Sequence, residues 1–247
     1  MLAALAVGGC SWLYPTAVPM RTERYPRAPG QQADALLVLL PGRGDSMGSF
    51  AEHGFADDVR ASGASVDVVA VDAHLGYYLR NIIVDRLWAD VIMPARQHGY
   101  RHIWVAGVSM GGLGALALAR DHGEVLERLI LVAPYVGPDD LLGKIESAGG
   151  PARWTATDPS DVYQRTWMWL KRRAEPGATG PTIQLAFGTG DKLVRGQRQL
   201  AQLLPPTAVL EEPGAHNWVT WRKLWLRLWP VGAFGTAAKA TTPPSVR

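Results

Sequence analysis

Three side chains far apart in a 247-residue chain have the types and the order that nucleophilic catalysis uses: Ser109, Asp191 and His216. A serine hydroxyl is a poor nucleophile until a base takes its proton, and that base must be held in one tautomer by an acid. Ser109 sits in the run GVSMGG, from Gly107 to Gly112, directly after the apolar, β-branched stretch 103–108. A strand that runs into a sharp turn and then a helix leaves no room beside the serine, which calls for glycine at Gly107 and Gly111. Residues 113–120, rich in Ala and Leu, read as that helix, and its first N–H groups point back toward Ser109.

The base and the acid follow in the order Ser, Asp, His. The apolar run 182–187 leads into GTGDKLV and leaves Asp191 in a loop; the short strand 208–211 leads into PGAHNW and leaves His216 in the next. Both positions lie just past the C-terminal end of an expected strand, where open parallel sheets gather their reactive groups. His53, His98, His102 and His122 fall in or beside expected helices at polar positions and read as solvated, whereas His74, after the strand 66–71, is placed to line a cleft. Asp139 and Asp140, after the strand 129–132, are the rivals for the acid. Asp191 is preferred because GTGD ends a strand, while GPDD reads as a helix cap.

A serine attacking a carbonyl also needs two donors for the oxyanion. The residue after the nucleophile, Met110, supplies one backbone N–H. The strand 36–40 followed by PGRGDS supplies the second, assigned to Arg43 with Gly42 beside it. Such a donor stabilises the transition state by about 3 kcal/mol. The Arg43 side chain is also able to meet an anionic group, and Asp45 reads as the cap of the next helix rather than as part of an Arg-Gly-Asp adhesion motif.

Together LPGRGD, GVSMGGLGAL, FGTGDKLV and PGAHNWVTW resemble the α/β-hydrolase superfamily, and within it bacterial carboxylesterases of the esterase D-like type. The resemblance covers about residues 35–229, and it is specific for the superfamily and weaker for the subfamily. The family often carries His-Gly before the oxyanion residue, where this chain has Pro41-Gly42. The resemblance implies an α/β fold with a doubly wound, mostly parallel sheet and hydrolysis of carboxylic esters through an acyl-enzyme. Thioester cleavage, acyl transfer and a non-catalytic binding role are the alternatives. No metal or organic cofactor is called for.

The elements that must position these residues alternate. Expected strands at 36–40, 66–71, 103–108 and 129–132 are separated by helices near 47–61 and 79–97 and by the helix after Ser109, the pattern of parallel strands joined by crossover helices. Residues 138–181 interrupt the rhythm as a small helical insert, either a lid whose Trp167, Trp169 and Leu170 cover an acyl pocket or a sheet-covering helix with a long loop. That insert and Tyr77 and Tyr78 are expected to shape the pocket. With 47% hydrophobic and 19% charged residues the chain reads as one globular domain at 35–234. A net charge of +3 without a dense Lys/Arg run gives nucleic-acid binding no support.

The two ends carry the remaining expectations. Trp218, Trp221, Trp225 and Trp229 recur at spacings of three and four, which places them on one helical face that packs on the sheet or, with Arg222, Lys223 and Arg227, meets a membrane interface. At the other end AVGGC resembles a lipobox: residues 1–9 form a short signal, the lone Cys10 takes the lipid, and residues 10–34 are a tether. That places the enzyme on the bacterial cell envelope, acting on small-molecule or lipid esters; a start at Met20 without export is the other reading. Residues 235–247 read as a disordered tail.

Overall fold

The computed structural model describes residues 14–27 and 33–229. The signal, Cys10 and the tail therefore lie outside the described residues. Among the described residues seven strands form one sheet: β1 (Thr22–Tyr25), β2 (Ala35–Leu40), β3 (Val66–Val71), β4 (His102–Val108), β5 (Arg128–Val132), β6 (Thr182–Gly188) and β7 (Val209–Glu212). Their order is β1-β3-β2-β4-β5-β6-β7, and every pairing is parallel except that of β1 with β3. The sheet is doubly wound, with winding reversed between β2 and β4.

The central strands are apolar at nearly every position because both faces are covered, with Asp67 of β3 the buried exception and His102 and Arg128 only at strand starts. Successive side chains of a strand point to opposite faces, so Leu36, Val38 and Leu40 of β2 enter one core with Val105 and Leu131, while Leu37 and Leu39 enter the other with Ala106 and Ile130. The first core is closed by α3 (Leu75–Leu79), by α4 (Ile83–Leu87) running through a π-helical turn into α5 (Met93–Gln97), by α6 (Met110–His122), and by α7 (Asp139–Ser147) and α8 (Val162–Arg173). The second is closed by α1 (Ser49–Glu52), α2 (Phe55–Ala61) and α10 (Trp218–Leu228). The remaining helix, α9 (Val194–Ala201), follows β6.

Several expectations change at this level. The helix read over 47–61 is broken at Gly54, whose φ of 72° a side chain would resist, and the helix read over 79–97 is two pieces separated at Asn81, φ 54°. Asp45 does not cap α1: its Oδ1 accepts from Trp218 Nε1 at 2.9 Å, and the cap position is Gly48. Asp139 and Asp140 fill the first turn of α7 behind Pro138 and make no side-chain cap. His102 begins β4 rather than lying beside a helix.

The tether does not extend to residue 34. β1 adds an antiparallel edge to the sheet, Met20 is buried in the first core, and Arg21 holds Asp72 with both guanidinium contacts. Upstream, Ala17 both donates to and accepts from the Tyr77 hydroxyl, at 3.0 and 2.9 Å.

The tryptophan stripe of α10 faces inward. Trp221, Trp225 and Trp229 are 5%, 0% and 2% exposed, and Trp225 stacks on Phe55 with ring centroids 4.7 Å apart. Those three indoles are consumed by the core, as the sheet-packing reading expects, while Trp218 is half-buried and lines a cleft. Within 138–181, Trp167 and Leu170 are likewise core residues, and Trp167 Nε1 donates to the Val136 carbonyl at 2.9 Å. Among the described residues no helix is long and apolar enough to cross a membrane.

Candidate active site

The turn after β4 is built around missing side chains. A Cβ on Gly111 would lie 2.0 Å from the Leu40 carbonyl oxygen, and one on Gly107 would lie 2.3 Å from the Gly111 carbonyl oxygen. Backbone therefore packs on backbone, and the turn closes tightly enough to hold Ser109 at φ 52°, ψ −115°. A non-glycine residue there is strained by about 1–3 kcal/mol and persists only when its surroundings hold it. They do: Ser109 N–H donates to the Val132 carbonyl at 3.0 Å, and its carbonyl accepts from Tyr135 N–H at 2.9 Å.

Asp191 follows β6 and His216 follows β7, and the structure brings both to Ser109. Ser109 Oγ lies 2.9 Å from His216 Nε2, and His216 Nδ1 lies 2.9 and 2.8 Å from the two Asp191 carboxylate oxygens. The Asp191 side chain is fully buried and that of His216 is 10% exposed. Asp191 Oδ1 also accepts from Leu193 N–H at 2.7 Å, so the carboxylate is fixed from two sides. With Nδ1 bound to the carboxylate, Nε2 is left to take a proton from Ser109.

The two loops are zipped together by residues that the motif reading passed over. Gly190 N–H donates to the Gly214 carbonyl at 2.9 Å, and a Cβ on Gly188 would sit 2.3 Å from that same oxygen. Asn217 caps α10 by accepting from Thr220 N–H at 3.0 Å, while Thr220 Oγ1 accepts from Ala215 N–H at 3.0 Å. His216 is thus held between a capped helix and a hydroxyl clamp, with Trp221 edge-on to its ring at 4.9 Å. The signal was present as Asn-x-x-Thr, a cap spacing.

For the oxyanion, Met110 and Arg43 both line the cleft with Ser109. A Cβ on Gly42 would lie 3.5 Å from Ser109 Cβ, which sets the loop after β2 against Ser109. Met110 opens α6, where the first N–H groups have no partner inside the helix. Among the described residues neither the Met110 nor the Arg43 N–H donates to a protein acceptor.

The other sequence candidates lie elsewhere. Asp139 and Asp140 are exposed at 94% and 71% of their side chains and do not line the cleft. His74 caps α3 through Nδ1, accepting from Gly76 N–H at 3.1 Å; the cleft wall is made instead by Leu75, Tyr78 and Leu79. His53 stacks on Trp218, His122 stacks on Trp88, and His102 pairs with Glu127. Among the described residues no group of three or more His, Cys, Asp or Glu side chains is placed to hold a metal ion. The cleft encloses about 760 Å³, within the range of small-molecule sites, and Tyr135, Tyr163 and Lys192 complete it. Burial, and then the neighbouring Tyr163, push the Tyr135 phenol well above the ordinary tyrosine range. It therefore stays a hydrogen-bond donor under ordinary conditions.

The same fold recurs in solved proteins. FphF, a fluorophosphonate-binding serine hydrolase of Staphylococcus aureus solved with substrate bound, superposes with a TM-score of 0.57 at 14% identity, over 81% of this chain and 83% of that one. An arylesterase gives 0.56 at 17%, over 87% and 84%, and an S-formylglutathione hydrolase of S. aureus gives 0.54 at 15%, over 80% of each. At such identities the fold is what is shared. No curated protein matches in sequence. The model of the family described as "Putative esterase" matches residues 78–226, more than half of the chain and the stretch that carries Ser109, Asp191 and His216. The chain belongs to that esterase family.

Proposed function

We propose that Ser109, His216 and Asp191 carry ester hydrolysis through an acyl-enzyme. The observation that carries the proposal is the relay of 2.9 Å from Ser109 Oγ to Nε2 and 2.8 Å from Nδ1 to a buried carboxylate. As Ser109 Oγ bonds to the acyl carbon, His216 Nε2 takes its proton, and the imidazolium is stabilised by Asp191. The carbonyl oxygen, now anionic, is met by the N–H groups of Met110 and Arg43. Collapse breaks the acyl–oxygen bond, and His216 returns the proton to the departing alkoxide. Water, deprotonated by the same Nε2, then attacks the acyl-serine and frees the acid.

The test is labelling by a fluorophosphonate together with turnover of a p-nitrophenyl ester. Ser109→Ala is expected to lose the label and to lower kcat by at least about a thousandfold, leaving what the oxyanion donors and binding supply. A mild loss, or a label that persists, places the nucleophile elsewhere.

We also propose that Cys10 carries a lipid that fixes the enzyme to the bacterial cell envelope. The AVGGC run supports this, as does its being the chain's lone cysteine. Palmitate incorporation in a bacterial host should depend on Cys10, and a soluble, unlabelled product would remove the anchor.

A further inference from the structure

Among the described residues, the cleft that holds Ser109 contains two cations that no protein group engages. A hollow of about 860 Å³ at the opposite edge of the sheet is lined by Arg96, Arg101 and Arg120, and each is engaged. Arg96 donates to the carbonyls of Tyr100 and Arg101, Arg101 holds Asp34, and Arg120 holds Asp121. In the cleft, Arg43 and Lys192 make no hydrogen bond or ion pair among the described residues. One acidic side chain, Asp45, shares the lining with them, and its Oδ1 is taken by Trp218 Nε1.

The cleft lining carries two chemistries. Leu75 and Leu79 of α3, Leu113 of α6 and the ring of Tyr78 are apolar. The phenols of Tyr135 and Tyr163 and the two cations are hydrogen-bond donors. A ligand complementary to both is an apolar acyl chain joined to a group rich in acceptors and negatively charged.

The half of the ester that carries the charge follows from the loops. His216 protonates the leaving alkoxide, so the alcohol lies on the His216 side. Lys192 is next to Asp191 in the loop bonded through Gly190 N–H to Gly214, two residues before His216. Arg43 belongs to the loop that Asp45 pins to Trp218, two residues after His216. Both cation-bearing loops are therefore fastened to the loop that serves the leaving group.

Resting on the hydrolytic reading above, we infer that the preferred substrate is an apolar acyl ester of an alcohol bearing a carboxylate or phosphate, with Arg43 and Lys192 binding that anion.

Three butyrate esters test this: 3-(butanoyloxy)benzoate, its neutral methyl ester, and 3-(butanoyloxy)phenyl phosphate. At low salt, kcat/KM for one or both anionic esters is expected to exceed that of the methyl ester by about tenfold or more, expressed in KM. Whichever anion gains more identifies carboxylate or phosphate as the group bound. In the double variant Arg43→Ala, Lys192→Ala the anionic-to-neutral ratio should fall about tenfold; a loss common to all three esters leaves the ratio unmoved. A second measurement needs no variant: raising salt from about 20 mM to about 500 mM should raise KM for the anionic esters severalfold and leave the methyl ester unchanged. Equal kcat/KM for the three esters, insensitive to salt, overturns the inference while the hydrolytic reading stands. Absence of hydrolysis of all three, with no label on Ser109, overturns both.

Discussion

The Tyr78 hydroxyl is sealed beneath the cleft wall with no hydrogen-bond partner in the described structure, and a buried, unpaired hydroxyl is destabilising by about 1–3 kcal/mol. Tyr78→Phe removes the hydroxyl and keeps the ring that lines the cleft. For a domain of this size each kcal/mol moves Tm by about 2–4 °C, so a rise of at least about 2 °C is expected by calorimetry, with ester turnover retained. The hydroxyl occupies space that Gly114 leaves open, since a Cβ there would fall 2.4 Å from Oη but 3.3 Å from the ring carbon behind it. Gly114→Ala should therefore destabilise the native chain and become neutral or better once Tyr78 is Phe, because alanine is favoured over glycine in a helix by about 1 kcal/mol. A double-mutant cycle would then show coupling of about 1 kcal/mol or more. Burial also raises the Tyr78 pKa above its ordinary 10.0. A raised folded-state pKa keeps the neutral phenol's contribution whole below pH 10 and loses it as pH rises further. The stability gap between Tyr78→Phe and the native chain should therefore widen above about pH 10, by up to about 1.4 kcal/mol per pH unit. A Tm for Tyr78→Phe about 2 °C or more below the native value would refute the reasoning, because it would mean the hydroxyl has a partner.

Asp191→Asn is expected to lower kcat on the order of 10⁴-fold by leaving His216 in the wrong tautomer, while Asp139→Asn and Asp140→Asn, both exposed, stay within about twofold; the reverse order would move the acid to the loop after β5. Gly111→Ala forces a Cβ to within 2.0 Å of the Leu40 carbonyl and should yield little soluble protein, whereas Gly48→Ala, whose nearest neighbour would be Ser46 Oγ at 3.6 Å, should express and unfold normally. Glu212 is held below the ordinary carboxylate range first by the Lys223 ammonium and then by Arg227. A depressed pKa gives stability that is present above the ordinary value of 4.5 and is lost as pH falls. The Tm gap between native chain and Glu212→Gln should accordingly be open at pH 7 and shrink below about pH 4.5; a gap that grows on acidification would contradict the assignment.

Local signals carried the parts of this protein that are dictated within a few residues. The strands β2 to β5 were legible because a buried parallel strand is apolar along nearly all of its length, and 103–108 running into Ser109 announces both strand and turn. Asp191 and His216 were legible because each ends a strand in a short glycine-containing loop. The tether reading failed for the opposite reason. Residues 22–25, Thr-Glu-Arg-Tyr, carry no apolar pattern, since an edge strand with three exposed residues needs only the backbone of β3. Asp45 likewise looked like a cap by spacing, and nothing within the loop announces that Trp218, far along the chain, takes its oxygen.

What the amino-acid order determined by itself is the chemistry on offer: a serine on a glycine-flanked turn, a base and an acid in sequence, and strands that must be buried on both faces. Only the tertiary structure decided how these groups meet and which side chains form the cleft around them. Those depend on the C-terminal ends of β2, β4, β6 and β7 arriving at one edge, where loops separated by up to 173 residues exchange single hydrogen bonds. Such contacts are short in space and leave no period in the sequence. The cations of the cleft belong to the same class: the Arg43 side chain was legible as able to meet an anion, but only the fold brings Lys192 into the same cleft as Arg43 and Ser109.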